Sequence, residues 1–183
     1  RIAAKSAVRY AVENPAAPKV DMAQVEKLKE RILKPLETFE KNKAASSDPN
    51  INPAYIKPKM YMFRLQKIMD EYGGGVTSQF TTNKHLLERG LDLIAMLKED
   101  SENLAAEDLH ELMRCWENVQ RTWQAEAHLR SILFREETRW PGYYFRSDYP
   151  KMDEQNWKHF VNCQWDPKTG EWTMSKKPII SII

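Results

Sequence analysis

Apolar residues recur at three- and four-residue intervals along most of the chain, a pattern that predicts helices rather than strands. The first such stretch opens at Arg1, where Ala3, Ala4, Ala7 and Ala11 form a small-residue face suited to close packing on another element. No capping residue precedes it, and Pro15-Ala16-Ala17-Pro18 ends it, because proline clashes with continued helical backbone. Asp21 with Gln24 has the spacing of a capping box and predicts the start of a second helix. Val25, Leu28, Ile32, Leu36 and Phe39 are its apolar stripe, with Pro35 predicted to kink or break it. Residues 43–58 are rich in Ser, Asn and Asp and hold three prolines, so they read as a linker or excursion. A third helix is predicted over 59–72, with Met62, Leu65, Ile68 and Met69 inward, stopped by Gly73-Gly74-Gly75. A fourth covers 83–98 on Leu86, Leu87, Leu91, Ile94 and Leu97. The longest covers 106–137, with Leu109, Leu112, Met113, Trp116, Val119 and Trp123 as the packed face. Beyond Pro150 the helical period fades, and Trp165-Asp166-Pro167-Lys168-Thr169-Gly170-Glu171-Trp172 predicts a hairpin. The fold class that follows is mainly α: a helical bundle, then an irregular segment with a short β-hairpin.

Composition excludes more than it assigns. The 183 residues are 42% hydrophobic and 30% charged, and 28 basic against 26 acidic side chains leave a net charge of +2. These charges are mixed along the chain, which gives no case for nucleic-acid binding, where positive charge is clustered. The longest apolar runs fall far short of the roughly 20 residues needed to span a bilayer. No charged-then-apolar leader is visible, and the chain opens in mid-pattern without a methionine, which leads us to expect that a preceding part lies upstream. Cys115 and Cys163 form no CxxC pattern and read as reduced thiols of a cytoplasmic protein.

Candidate chemistry is sparse. Gly73-Gly74-Gly75 follows a helix instead of joining a strand to one, so it reads as a helix stop and not as a phosphate loop. His85, His110, His128 and His159 lie in different segments, and His110 and Cys115 fall on different faces of one helix, so no metal site is expected. Glu136 and Glu137 read as a solvated helix end. The segment from Arg139 to Trp157 differs: Arg139, Arg146, Asp148, Asp153 and Trp157 stand among many aromatics with little regular period. An arginine fork grips carboxylates or carbonyls and stacks on rings, so the segment suits either an interdomain clamp or an anionic substrate. Its irregular, aromatic setting favours the clamp.

These residues also carry a resemblance. Glu126-Ala127, Arg130, Leu133, Arg135, Glu136, Glu137, Thr138 and Arg139 resemble the end of the long helix in flavoproteins of the succinate dehydrogenase and fumarate reductase superfamily, and Gly142, Arg146, Asp148, Pro150, Asp153 and Trp157 resemble the segment after it. Trp140-Pro141 is an insertion relative to that pattern, Tyr144 stands in a histidine position, and Met152 and Glu154 replace an arginine and an aspartate. With those departures, and with Arg1-Ile2-Ala3-Ala4-Lys5 at the start, the chain is most similar to the alpha-subunit family of adenylylsulfate reductases.

The resemblance implies a C-terminal helical domain of the succinate dehydrogenase/fumarate reductase type. It implies a reaction of the whole enzyme, the reversible reduction of adenylyl sulfate to sulfite and AMP, on FAD bound mainly by an upstream domain. It also implies electrons from a ferredoxin-like beta subunit that carries the iron–sulfur clusters. On this reading residues 1–20 end the FAD-binding domain, 21–58 connect, 59–140 form the bundle, and 141–183 are a docking segment with hairpin and tail. Arg1 would lie near the flavin-domain helix; Arg139, Arg146, Asp148, Asp153 and Trp157 would dock; no residue here would be catalytic. The alternatives are a stand-alone helical interaction module, or the C-terminal domain of a fumarate reductase- or succinate dehydrogenase-like flavoprotein.

Overall fold

Three helices build the main core: α3 (Pro58–Tyr72), α4 (Lys84–Asp100) and α5 (Leu109–Phe134). They are preceded by α1 (Ile2–Glu13) and α2 (Met22–Ser46). They are followed by α6 (Glu154–Trp157) and a hairpin of β3 (His159–Asp166) and β4 (Glu171–Pro178). A two-residue parallel pair, β1 (Thr81–Thr82) with β2 (Phe145–Arg146), joins the loop before α4 to the segment after α5. The computed structural model describes residues 1–16, 19–46, 55–139 and 144–180. Of the motifs above, Ala17 and Pro18, residues 47–54 of the linker, and Trp140-Pro141-Gly142-Tyr143 lie outside the described residues.

The chain divides into two compact units, Arg1–Leu33 and Lys34–Ile183. In the first, α1 has no capping side chain and no buried residue, and Asp21 Oδ1 accepts from the Ala23 and Gln24 amides at 3.0 and 3.4 Å to begin α2. Leu28 and Ile32 of the predicted stripe are 54% and 46% exposed. Pro35, expected to kink or break α2, sits inside a helix assigned without interruption. It is buried, and its carbonyl accepts from the Ala106 amide at 3.0 Å, so the packing at this point holds the helix through the proline.

The core of the second unit is built from Tyr61 and Leu65 of α3, Leu87, Ile94 and Leu97 of α4, and Leu112, Cys115, Ala125, Leu129 and Ile132 of α5. Asn83 and Asp108 cap α4 and α5 by accepting from the Leu86 and Glu111 amides, at 3.1 and 2.8 Å. Gly73 ends α3 and Gly74, at φ +84°, turns the chain away, as the glycine run predicts. Gly90 has a packing reason instead: a Cβ there would lie 2.9 Å from Tyr72 Cβ, so the close approach of α3 and α4 requires a hydrogen at that position.

The face of α5 differs from the predicted one. Leu109 and Met113 are 72% and 51% exposed, while Asn118 and Thr122 are buried. The polar residues are admitted because each is satisfied: Asn118 Nδ2 donates to the Pro58 carbonyl at 2.8 Å, and Thr122 Oγ1 bonds the Tyr61 hydroxyl at 3.0 Å and the Asn118 carbonyl at 2.8 Å. A stripe drawn through apolar residues alone therefore comes out rotated. The helix also ends at Phe134, short of the predicted Glu137.

The hairpin follows its prediction, with Trp165 opposite Trp172 and Gly170 at φ +71° in the turn. Trp123 of α5 meets both rings, at centroid distances of 5.0 and 6.0 Å, and the Lys98 ammonium lies over the Trp123 ring at 3.3 Å. Lys98 and Arg130 both pair with Glu126, which is 7% exposed, so the apolar anchor is fixed from below by a neutralised charge cluster. Trp165→Ala is expected to cost about 2–3 kcal/mol of apolar burial. Proteolysis within 166–171 should then accelerate while the helices stay protected; unchanged cleavage would mean that the hairpin is held elsewhere.

Candidate docking site

Two buried ion clusters shape the segment after α5. The first is centred on Arg146, which is 1% exposed although arginine is seldom buried. Its Nη1 donates to the carbonyls of Ile132, Leu133 and Arg135 at 2.6, 3.3 and 3.1 Å, where α5 runs out of amides to satisfy them. Nε and Nη2 form a fork on Asp148 at 2.7 and 2.6 Å. Asp148 in turn accepts from the Lys84 amide, at the first residue of α4, at 2.9 Å. A cation thus lies on the negative end of one helix and its counter-ion on the positive end of another. Burial pushes the Asp148 carboxyl up, but the Arg146 and Lys84 hydrogen bonds outweigh it and hold the group below the usual aspartate range. Tyr144, whose hydroxyl lies 3.5 Å from the Ile132 carbonyl, is pushed up to about 12 by burial.

The second cluster is centred on Glu137, whose side chain is fully buried. It accepts from Arg135 Nη1 at 2.5 Å, from Arg139 Nε at 2.6 Å and from the Asp153 amide at 2.9 Å. Arg139 extends to Glu154 at 2.7 Å, and Arg135 reaches the carbonyls of Trp157 and His159, both at 2.9 Å. Thr138 lies between the clusters, accepting from the Arg146 amide at 2.9 Å and donating to the Tyr149 carbonyl at 2.8 Å. Burial raises the Glu137 carboxyl, but the bonds from Arg139, the Asp153 amide and Arg135 bring it below the glutamate value of 4.5.

Glu137 corrects the expectation of a solvated helix end. Because α5 stops at Phe134, residues 135–139 are not helical, and one carboxylate meets the guanidiniums on either side of it. Glu136 alone is exposed. Asp153 caps α6 by accepting from the Asn156 amide at 3.0 Å. Trp157, 6% exposed, packs edge-on against Phe134 at 5.6 Å and carries the Lys176 ammonium over its ring at 3.3 Å. The structure thus joins Arg139 to Asp153 and Trp157 through Glu137 and Arg135, and Arg146 to Asp148 separately. The sequence reading missed Arg135, Glu137 and Thr138, whose signal is the alternation Arg135-x-Glu137-x-Arg139, hidden by extending the helix too far. Arg1, at the start of α1, is exposed.

The arrangement is structural chemistry. The three guanidiniums are engaged by carboxylates and carbonyls of this chain. Among the described residues no group of His, Cys, Asp and Glu could hold a metal ion, and neither cysteine is in a disulfide. The glycines at 73–75 follow a helix, so they do not form a glycine-rich cradle for a dinucleotide pyrophosphate. No helix of the described residues is long and apolar enough to cross a membrane.

This mainly helical bundle with its folded-back segment is a known type: the family described as fumarate reductase flavoprotein C-term matches residues 62–182, and the chain belongs to it. The chain is 46% identical, over all 183 residues, to the adenylylsulfate reductase subunit alpha of Megalodesulfovibrio gigas. It is 51% identical over its whole length to the adenylylsulfate reductase of the hyperthermophilic Archaeoglobus fulgidus, with a TM-score of 0.92. The Sdh1 complex of Mycobacterium smegmatis, solved with UQ1, matches 96% of this chain and 27% of its own at 23% identity and a TM-score of 0.67, a likeness of fold alone. The chain spans 28% of the length of each adenylylsulfate reductase relative.

Proposed function

We propose that this chain is the C-terminal helical region of a flavoprotein subunit that reversibly reduces adenylyl sulfate to sulfite and AMP. The observation that carries this reading is identity of 51% over the whole chain with a TM-score of 0.92 against an adenylylsulfate reductase, where the Sdh1 likeness stops at 23% and 0.67. The same contrast weighs against a succinate dehydrogenase- or fumarate reductase-like enzyme. In this reading FAD is held mainly by residues outside this chain, and it supplies the two-electron chemistry. A ferredoxin-like beta subunit with iron–sulfur clusters delivers the electrons, and the compartment is the cytoplasm, consistent with two free cysteines.

The chain's own part is mechanical. Arg139, Arg146, Asp148, Asp153 and Trp157 set the shape of the segment from within, and its outer surface docks on the flavin domain. A preshaped, dry contact of this kind keeps a cofactor site in register. The test is an assay of the complete subunit with its partner. AMP-dependent sulfite oxidation, and reduction of adenylyl sulfate but not of fumarate, is the expected result; turnover of fumarate or succinate instead would overturn the assignment.

A further inference from the structure

Nine lysines and arginines lie on α3, α4 and α5, and seven of them form ion pairs. Arg64, Lys67, Lys84, Arg89, Lys98, Arg121 and Arg130 each lie within 4.0 Å of a carboxylate. Among the described residues, Lys59 and Arg114 have no such partner, and both line the same groove, a concavity of about 250 Å³ between the start of α3 and the middle of α5. Arg114 Nε donates to His110 Nε2 at 2.9 Å. Arg121 forms a fixed wall: it is bound to Glu117 at 3.2 Å, to Asn118 Oδ1 at 3.2 Å and to Met62 Sδ at 3.8 Å. Glu117, the one acid in the lining, is therefore engaged by Arg121, and two positive charges are left over. Met62 and Met113, the latter 51% exposed, line the same groove with unbranched side chains that adapt to an apolar contact.

We infer that this groove receives an acidic segment of a second polypeptide, whose carboxylates meet Lys59 and Arg114 while an apolar side chain rests on the two methionines. Charge complementarity selects the sign of the occupant, since every other cation of the three helices is already neutralised. The methionines select a peptide over a free oxyanion, which would leave that apolar surface unmatched. The inference does not depend on the reaction of the whole enzyme.

The test uses the complete polypeptide and a fluorescein-labelled synthetic peptide of alternating Glu and Leu, read by anisotropy at low and moderate salt. Binding should weaken about tenfold or more in the double variant Lys59→Glu/Arg114→Glu and fall with added salt. The milder Lys59→Gln/Arg114→Gln pair should give an intermediate loss, and unchanged far-UV circular dichroism would exclude unfolding, since both side chains are exposed. Equal affinity in wild type and variants overturns the inference. So does displacement of the peptide by inorganic sulfate at the peptide's own concentration, which would make the groove a free-oxyanion site.

Discussion

Arg146→Ala is expected to cost about 3–5 kcal/mol, the range for removing one partner of a buried, hydrogen-bonded ion pair. Three carbonyls at the end of α5 would lose their donor, and Asp148 would keep its charge without its fork. Loss of the counter-ion would also weaken the grip of Asp148 on the Lys84 amide, so the damage reaches the start of α4. Arg146→Lys should recover less than half of the loss, because a single ammonium cannot serve a carboxylate fork and three carbonyls together. Denaturant unfolding of the complete subunit measures both. A full rescue by lysine would show that charge, and not the geometry of the fork, is what the site uses.

Glu137→Gln is expected to come second, at about 3 kcal/mol, because it leaves Arg135 and Arg139 facing each other without the carboxylate between them. Its signature is in the pH dependence. The folded carboxyl lies below the ordinary 4.5, so its contribution to stability is complete above that pH and is lost as the pH falls through the lowered value. Asp148 and Glu126 are depressed in the same direction by their own partners, Arg146 with the Lys84 amide for the first and Lys98 with Arg130 for the second. Thermal unfolding of wild type should therefore drop steeply on acidification below about pH 4, and the glutamine variant should start lower and fall less. Parallel curves would mean that Glu137 titrates normally.

The sequence revealed most where apolar period alone decides structure. Three helices, the glycine stop after α3 and the tryptophan-paired hairpin could all be read because burial, capping and turn chemistry agree there. It misled where a polar residue is buried at the cost of a specific partner. Asn118 and Thr122 look like surface positions until Pro58 and Tyr61, some sixty residues away, are brought beside them. Glu137 looks like solvent-facing charge until the helix is known to end at Phe134. Pro35 looks like a break until Ala106 holds its carbonyl. The five residues proposed for docking were legible as unusual, because Arg and Asp among aromatics have little use on a plain helical surface. That Arg146 faces inward was not legible, since the carbonyls it binds have no sequence signature.

The bridge from Arg146 through Asp148 to Lys84 spans 64 residues of chain. On a ribosome that interval matters. The helices from α3 to α5 emerge first, and the amide at the head of α4 waits for its carboxylate until the segment carrying residue 148 has been made. Contacts this distant in sequence close late in folding. A released chain ending between 134 and 148 would keep the apolar faces of the three helices but leave the head of α4 and the tail of α5 without the carboxylate and guanidinium that join them.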